Sequence, residues 1–283
     1  MKPGQLSGDN KIETILDFER DSQDVELGVC GDIADISQAS VCRVCSEVSE
    51  KLAQHFPKFV TFPDDAIGLN TLKSQFYEVA SFPEVIGCID GTHIEIKSPG
   101  GSNAELYRNR KGWMALNVQA VSGPNLKFTD VVIRWPGSAH DSRMFNSSSL
   151  CMRLENGRLS GLLLGDSAYA QNRYMYTPIN NPVTGAEQRY NNAYILTRNV
   201  VFGVWKSRFR CLAKCLQTSL RHTTRIIAAT AVLHNIAIDT NQKIDENISM
   251  EKTERFPYPE APGMRGRVIR AAFILRHFTR PTD

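Results

Sequence analysis

From Gly31 onward the chain takes on a helical rhythm. Val41, Val44, Val48, Leu52 and Phe56 fall on one face of an amphipathic helix. A shorter segment, Gly31 to Ile36, precedes it, with Ser37 placed to cap the second helix. Two helices joined by a tight turn have the outline of a helix-turn-helix. Asp32, Asp35, Glu47 and Glu50 outnumber Arg43 and Lys51 there, which favours a packing hairpin over a DNA reader. Between Pro57 and Pro83 one further helix is expected near Leu69–Val79.

The period then changes. Val85-Ile86-Gly87-Cys88-Ile89 runs apolar into Asp90-Gly91, and Thr92 to Lys97 alternates, as strands do. Leu116–Ser122 and Phe128–Trp135 read as two more strands around a Gly123-Pro124-Asn125 turn. A helix follows Asp141, and Gly161-Leu162-Leu163-Leu164-Gly165 is a compact strand ending at Asp166. Helices are expected over Tyr194–Leu212, Thr223–Ile238 and Met264–Phe278. This order describes an α/β (α+β) domain with a mixed sheet. It divides the chain into a polar lead over 1–26, a helical region over 27–82, a sheet domain over 83–240, and a linker with a short helix over 241–283.

Composition excludes several classes. With 42% hydrophobic and 22% charged residues the chain is neither collagen-like, coiled-coil nor wholly disordered. No apolar run reaches the ~18 residues of a membrane helix. The polar start, Met1 to Gln5, has no signal core, so export is not expected. Seven cysteines, mostly in apolar stretches, suit reduced thiols in a nuclear or cytosolic compartment. Cys42 and Cys45 form one Cys-x-x-Cys, but no second pair stands at zinc spacing.

The candidate chemistry lies in carboxylates. Asp90 and Asp166 each follow an apolar strand, where open α/β sheets build their sites. Two such side chains brought together repel unless a cation neutralises them, and oxygen ligands favour Mg²⁺ or Mn²⁺. Each Asp alone also suits a turn or cap. Asp141 is a third candidate and a good N-cap.

Five motifs occur in a fixed order: Gly87-Cys88-Ile89-Asp90-Gly91-Thr92-His93-Ile94, Asn109-Arg110-Lys111-Gly112, Trp135-Pro136-Gly137-Ser138-Ala139-His140-Asp141-Ser142-Arg143, Gly165-Asp166-Ser167-Ala168-Tyr169 and Phe202-Gly203-Val204-Trp205-Lys206-Ser207-Arg208-Phe209. Together they make the chain resemble the PIF/Harbinger transposases and the nucleases derived from them, over roughly residues 30–240. The resemblance implies an RNase H-like DDE nuclease fold. In that fold two divalent ions ~4 Å apart, Mg²⁺ or Mn²⁺, activate water against a DNA phosphodiester. It assigns Asp90 as the first catalytic and metal-binding acid and Asp166, or alternatively Asp141, as the second. It also implies a nuclear protein working beside a separate Myb-like DNA-binding partner.

The third acid is absent. The family expects a pattern such as Val-Glu-Arg-x-Phe-Gly, whereas this chain reads Thr197-Arg198-Asn199-Val200-Val201-Phe202-Gly203, as though three residues, Glu included, had been lost. Between Glu187 and Asp239 there is no Asp or Glu at all. Glu187 is the one acid nearby that a bent loop could bring back. Strand cleavage is therefore expected to be impaired, and retention as a DNA- or protein-binding module is the alternative. The acid-free stretch carries Arg189, Arg198, Lys206, Arg208, Arg210, Lys214, Arg221 and Arg225. That run is a candidate phosphate track, and Arg108, Arg110 and Lys111 form a second basic cluster in a loop that the resemblance also places near DNA. The expected contacts are Arg108, Arg110, Lys111, Arg198, Lys206, Arg208 and Arg210. Trp205 and Phe209 read as core, and His93 and His140 as structural histidines.

Overall fold

The computed structural model describes residues 37–198, 201–242 and 264–280. The lead over 1–26, the helix expected over 31–36 and Asn199 lie outside the described residues. Helix α1 (Gln38–Gln54) starts at the expected cap, with Ser37 accepting from the Ser40 N–H. The turn α2 (Phe56–Phe59) follows, and α3 (Ala66–Ala80) is capped by Asp65, which accepts from Gly68.

Five strands come next: β1 (Val85–Glu95), β2 (Ala115–Ser122), β3 (Phe128–Pro136), β4 (Leu162–Leu164) and β5 (Met175–Tyr176). Between β3 and β4 lie α4 (Asp141–Asn146) and α5 (Ser149–Glu155). After β5 come α6 (Gly185–Thr197), α7 (Val201–Arg208), α8 (Leu220–Asp239) and α9 (Met264–Phe278). The sheet order is β3-β2-β1-β4-β5, antiparallel from β3 to β1 and parallel from β1 to β5. This mixed sheet flanked by helices is the RNase H-like fold.

The alternation of the strands sorts the core onto two faces. Ile89, Val121, Leu163 and Met175 pack with Phe145, Leu150 and Leu154 of α4 and α5. On the other face Ile94, Val118, Ala120 and Phe128 meet Val201, Phe202 and Trp205 of α7 and Ile227 and Ala231 of α8. Toward the start of β1, Cys88, Leu162 and Leu164 meet Tyr190 and Tyr194 of α6, with Ile274 and Phe278 of α9 behind. Helix α1 packs against α8 through a partly polar seam. Arg225 pairs with Glu50 at 2.8 Å, and Ser46 Oγ lies 3.2 Å from His222 Nδ1. The side of α1 that meets α8 carries those polar groups, and Val44 of the expected apolar stripe is exposed. The helical region is thus bound into the domain.

Two expectations need correction, and one strand leaves no signal in the sequence. Asp90 is not at a strand end: the apolar run and the alternating run are one strand of 11 residues. Its pattern changes because β4 pairs only with Val85 to Cys88, so beyond that point β1 has β2 as its sole strand neighbour. The two-residue β5 is too short to show a period and went unread. The helix expected over Tyr194–Leu212 is instead two helices, parting where Arg198 takes an extended conformation (φ −76°, ψ 109°). Buried positions 190, 193, 197, 201, 204 and 205 continue one helical stripe, so periodicity cannot reveal the break. The chain bends because α6 buries its part of the stripe beside Cys88 and α7 buries its part beside Phe128.

Two features of the packing are open to direct test. His234 is fully buried, with Nε2 2.9 Å from the Leu126 carbonyl. Burial holds its pKa down at about 4; the Leu126 bond opposes this and Arg208 reinforces it. Below an unfolded-state pKa of about 6.5 the unfolded chain takes up a proton that the folded one refuses. Stability present above pH 6.5 is therefore lost as pH falls toward 4, by roughly 3 kcal/mol. Urea unfolding across that window should show a flatter pH dependence for His234→Gln; an unchanged slope would contradict the assignment. Gly266 of α9 lies so close to the loop between β4 and β5 that a Cβ would stand 2.0 Å from the Gln171 carbonyl oxygen. Gly266→Ala gains about 1 kcal/mol of helix propensity, but the overlap costs about 1–3 kcal/mol. The denaturation midpoint should fall, and a raised midpoint would refute the close approach.

Candidate active site

The parallel register of β1 and β4 assembles the site. Cys88 pairs with Leu164, and two residues further along each chain stand Asp90 and Asp166. Strand alternation keeps Asp90 on the face of Cys88 and Ile94, toward α6. Asp90 Oδ1 accepts the Gly91 N–H at 2.9 Å, and Asp166 Oδ1 accepts the Ala168 N–H at 3.0 Å. Each aspartate thus makes a local turn contact while also facing its neighbours. Burial raises the Asp90 pKa, Arg198 draws it down and Asp166 pushes it up, with a net rise.

Asp141 reaches the strand from the other face. It is the first residue of α4, and the cap position belongs to His140, so the expected N-cap role does not hold. Its carboxylate lies over Gly91, where a Cβ would come within 2.6 Å of Oδ1. Any side chain at 91 would displace it. Asn117 Nδ2 donates to Asp141 Oδ1 at 2.9 Å, and Gln119 Nε2 donates to the Asp141 carbonyl and to Tyr169 Oη, each at 2.9 Å. Asn117 and Gln119 pair in register with His93 and Gly91, which places this polar set opposite Asp90. Burial pushes the Asp141 pKa up to about 6; Asn117 opposes the rise, and Asp166 and Asp90 add to it.

The fourth charged group is Arg198. Expected on a phosphate track, it lies instead inside the site, with Nη2 2.9 Å from Asp90 Oδ1. The two side chains are 19% and 21% exposed. The contact is a charge pair without an aligned hydrogen bond. Burial alone would weaken the protonated guanidinium, but Asp90, Tyr194 and Asp166 outweigh it and hold the charge firmly. Tyr194 itself donates to the Gly165 carbonyl, fixing α6 against the turn that carries Asp166.

Glu187 does not enter the site. Its carboxylate accepts from the backbone N–H groups of Val183 and Thr184, completing a capping box with Thr184 at the start of α6. These bonds hold its pKa down. Among the described residues no three His, Cys, Asp or Glu side chains gather as a metal-holding set. The arrangement does not fit the divalent ions that the resemblance implies. Asp141 lies across the strand from Asp90, and a guanidinium already contacts Asp90.

The remaining cations are distributed around this centre. Arg110 Nη2 lies 2.5 Å from His140 Nδ1, beside Asp141, and the neighbouring Lys111 is exposed. Arg108 pairs with Glu105 at 2.8 Å and donates to the Gly112 carbonyl. Lys206 donates to the His93 carbonyl at 3.3 Å and Arg208 to that of His234, while Arg210 is exposed. Charges missing from the acid-free stretch arrive from elsewhere, as Glu50 does for Arg225. Trp205 and Phe209 are fully buried core residues. His93 Nε2 lies 3.1 Å from the Gly137 carbonyl, and its ring stands edge-on to Trp113. Asn117, Gln119 and Tyr194 were not read as site residues. The signal for the first two was present, since they are polar alternate positions in the middle of a fully buried, mostly apolar strand.

Comparison with known proteins identifies the family. Residues 89–235 match the DDE superfamily endonuclease family. The chain is 34% identical over 261 residues to the protein named "Putative nuclease HARBI1" in Bos taurus and in Homo sapiens, covering 88% of this chain and 74% of each relative. It is 26% identical over 243 residues to "Protein ALP1-like" of Arabidopsis thaliana, covering 78% of this chain and 59% of that one. No solved structure matches. The chain belongs to the DDE superfamily endonucleases, among the nucleases derived from Harbinger transposases.

Proposed function

We propose that this transposase-derived nuclease engages DNA and has lost efficient strand cleavage. One observation carries the reading: the end of α6 presents Arg198 to Asp90 in place of a carboxylate. Phosphodiester cleavage by two metal ions needs several hard, charged oxygen ligands on one side of the scissile phosphate. Asp90 and Asp166 alone supply too few, and Glu187 is committed to its capping box.

DNA engagement rests on charge placed near the site. The loop holding Arg110 and Lys111 abuts His140 and Asp141, and exposed Arg210 adds a further cation. Groups of this kind serve phosphate contacts, which fix position on a duplex without reading sequence. Sequence choice would fall to a Myb-like partner, and the working compartment would be the nucleus.

Supercoiled plasmid incubated with the purified protein and Mg²⁺ or Mn²⁺ provides the test. The expected result is salt-sensitive binding with no nicking above that of Asp90→Ala. Metal-dependent nicking that Asp90→Ala abolishes would establish an active enzyme and overturn the reading. Replacing Arg110 and Lys111 together by Ala should weaken binding across all sequences and lower the slope of log K against log salt by about 1–2. An unchanged slope would remove this loop from the interface.

A further inference from the structure

Asp90, Asp141 and Asp166 bring three carboxylates around one buried strand. Such charges must be neutralised by protons, by a metal or by a cation of the protein itself. The break between α6 and α7 provides the third solution. Helix α6 stops at Thr197, and Arg198 leaves the helical path to meet Asp90.

We propose that Arg198 is a tethered counter-cation for Asp90 that closes the site to divalent metal ions. This rests on reading the aspartates as the remnant of a DDE site. Several contacts support it. Asp90 Oδ1 is engaged both by Arg198 and by the Gly91 N–H, leaving that oxygen little capacity for a metal. A guanidinium cannot lose its proton in a protein, so an arriving dication meets a fixed positive charge. A metal bound through Asp90 Oδ1 would displace Arg198 from its partner, a costly exchange for a buried charge, and one bound through Oδ2 would stand close to the same fixed positive charge.

The backbone around Arg198 also resists such a movement. The Arg198 N–H donates to the Tyr194 carbonyl at 2.9 Å. Thr197 is buried, its hydroxyl donates to the Ala193 carbonyl at 2.7 Å, and its own carbonyl lies 3.5 Å from Cys88 Sγ on β1. The cation is therefore held from the helix side and from the strand side at once.

Mn²⁺ titration of the full chain, followed by electron paramagnetic resonance and thermal melting, tests this apart from cleavage. Wild-type protein should take up no saturable Mn²⁺ and melt at the same temperature with and without it. Arg198→Gln should melt lower without metal, by roughly 5–10 °C. It should also bind one Mn²⁺ saturably, at concentrations where wild type takes up none, and recover stability on doing so. Asp90→Asn with Arg198→Gln should bind none and melt above Asp90→Asn alone, because both partners of the pair are gone. Saturable Mn²⁺ binding by wild type that Asp90→Asn abolishes would overturn the proposal, as would a folded Arg198→Gln that gains no Mn²⁺. If Arg198→Gln does not fold, the double variant decides: melting no higher than Asp90→Asn alone would reject the pairing. Wild-type Mn²⁺ binding without nicking would sink only this inference, whereas wild-type nicking would sink the proposed function as well.

Discussion

A carboxylate taken out of water needs a partner of opposite charge, and Asp90 finds one in Arg198 at 2.9 Å. Much of the site follows from that pair. It requires a strand that passes beyond its parallel neighbour, so that Asp90 stands clear of β4 beside Asp166. It also requires a helix that ends one residue before the arginine, so that the side chain can leave the helix surface. The bend between α6 and α7 meets the second requirement and lets each helix bury its apolar side in a different part of the core.

The surrounding structure holds these elements in place. Tyr194 ties α6 to the Gly165 turn, and Gln119 ties β2 both to Tyr169 and to the start of α4. Gly91 leaves the space that the Asp141 carboxylate fills. On the far side of α6, α9 packs Phe273 and Phe278 against Phe82, with ring centroids 5.8 and 5.4 Å apart. The scaffold around the site thus stays well packed with a guanidinium, not a third carboxylate, beside Asp90.

Much of this was legible in the sequence. The strands around Asp90 and the hairpin at Gly123 showed because alternation and turn residues are local signals. The caps at Ser37 and the helix over Met264–Phe278 were likewise written locally. The missing acid was visible as a gap in a motif, but its consequence was not. Arg198 looked like one member of a basic run because the charge opposing it lies 108 positions earlier on another element. Glu50 and Arg225 were separated in the same way. The break in the long helix was hidden because its apolar stripe stays in phase across the junction, and what bends the chain is two different packing partners. Asn117 and Gln119 left a trace as polar residues in a buried strand, yet their purpose depends on Asp141 arriving from the opposite face.

An arginine stands beside Asp90 where the family resemblance implies a metal ion. Crystals of the protein grown in Mn²⁺, with anomalous diffraction recorded at the manganese edge, test it most directly. With the guanidinium seated against the Asp90 carboxylate, no anomalous peak is expected there. A manganese peak bridging Asp90 and Asp166, with Arg198 turned away, would contradict it.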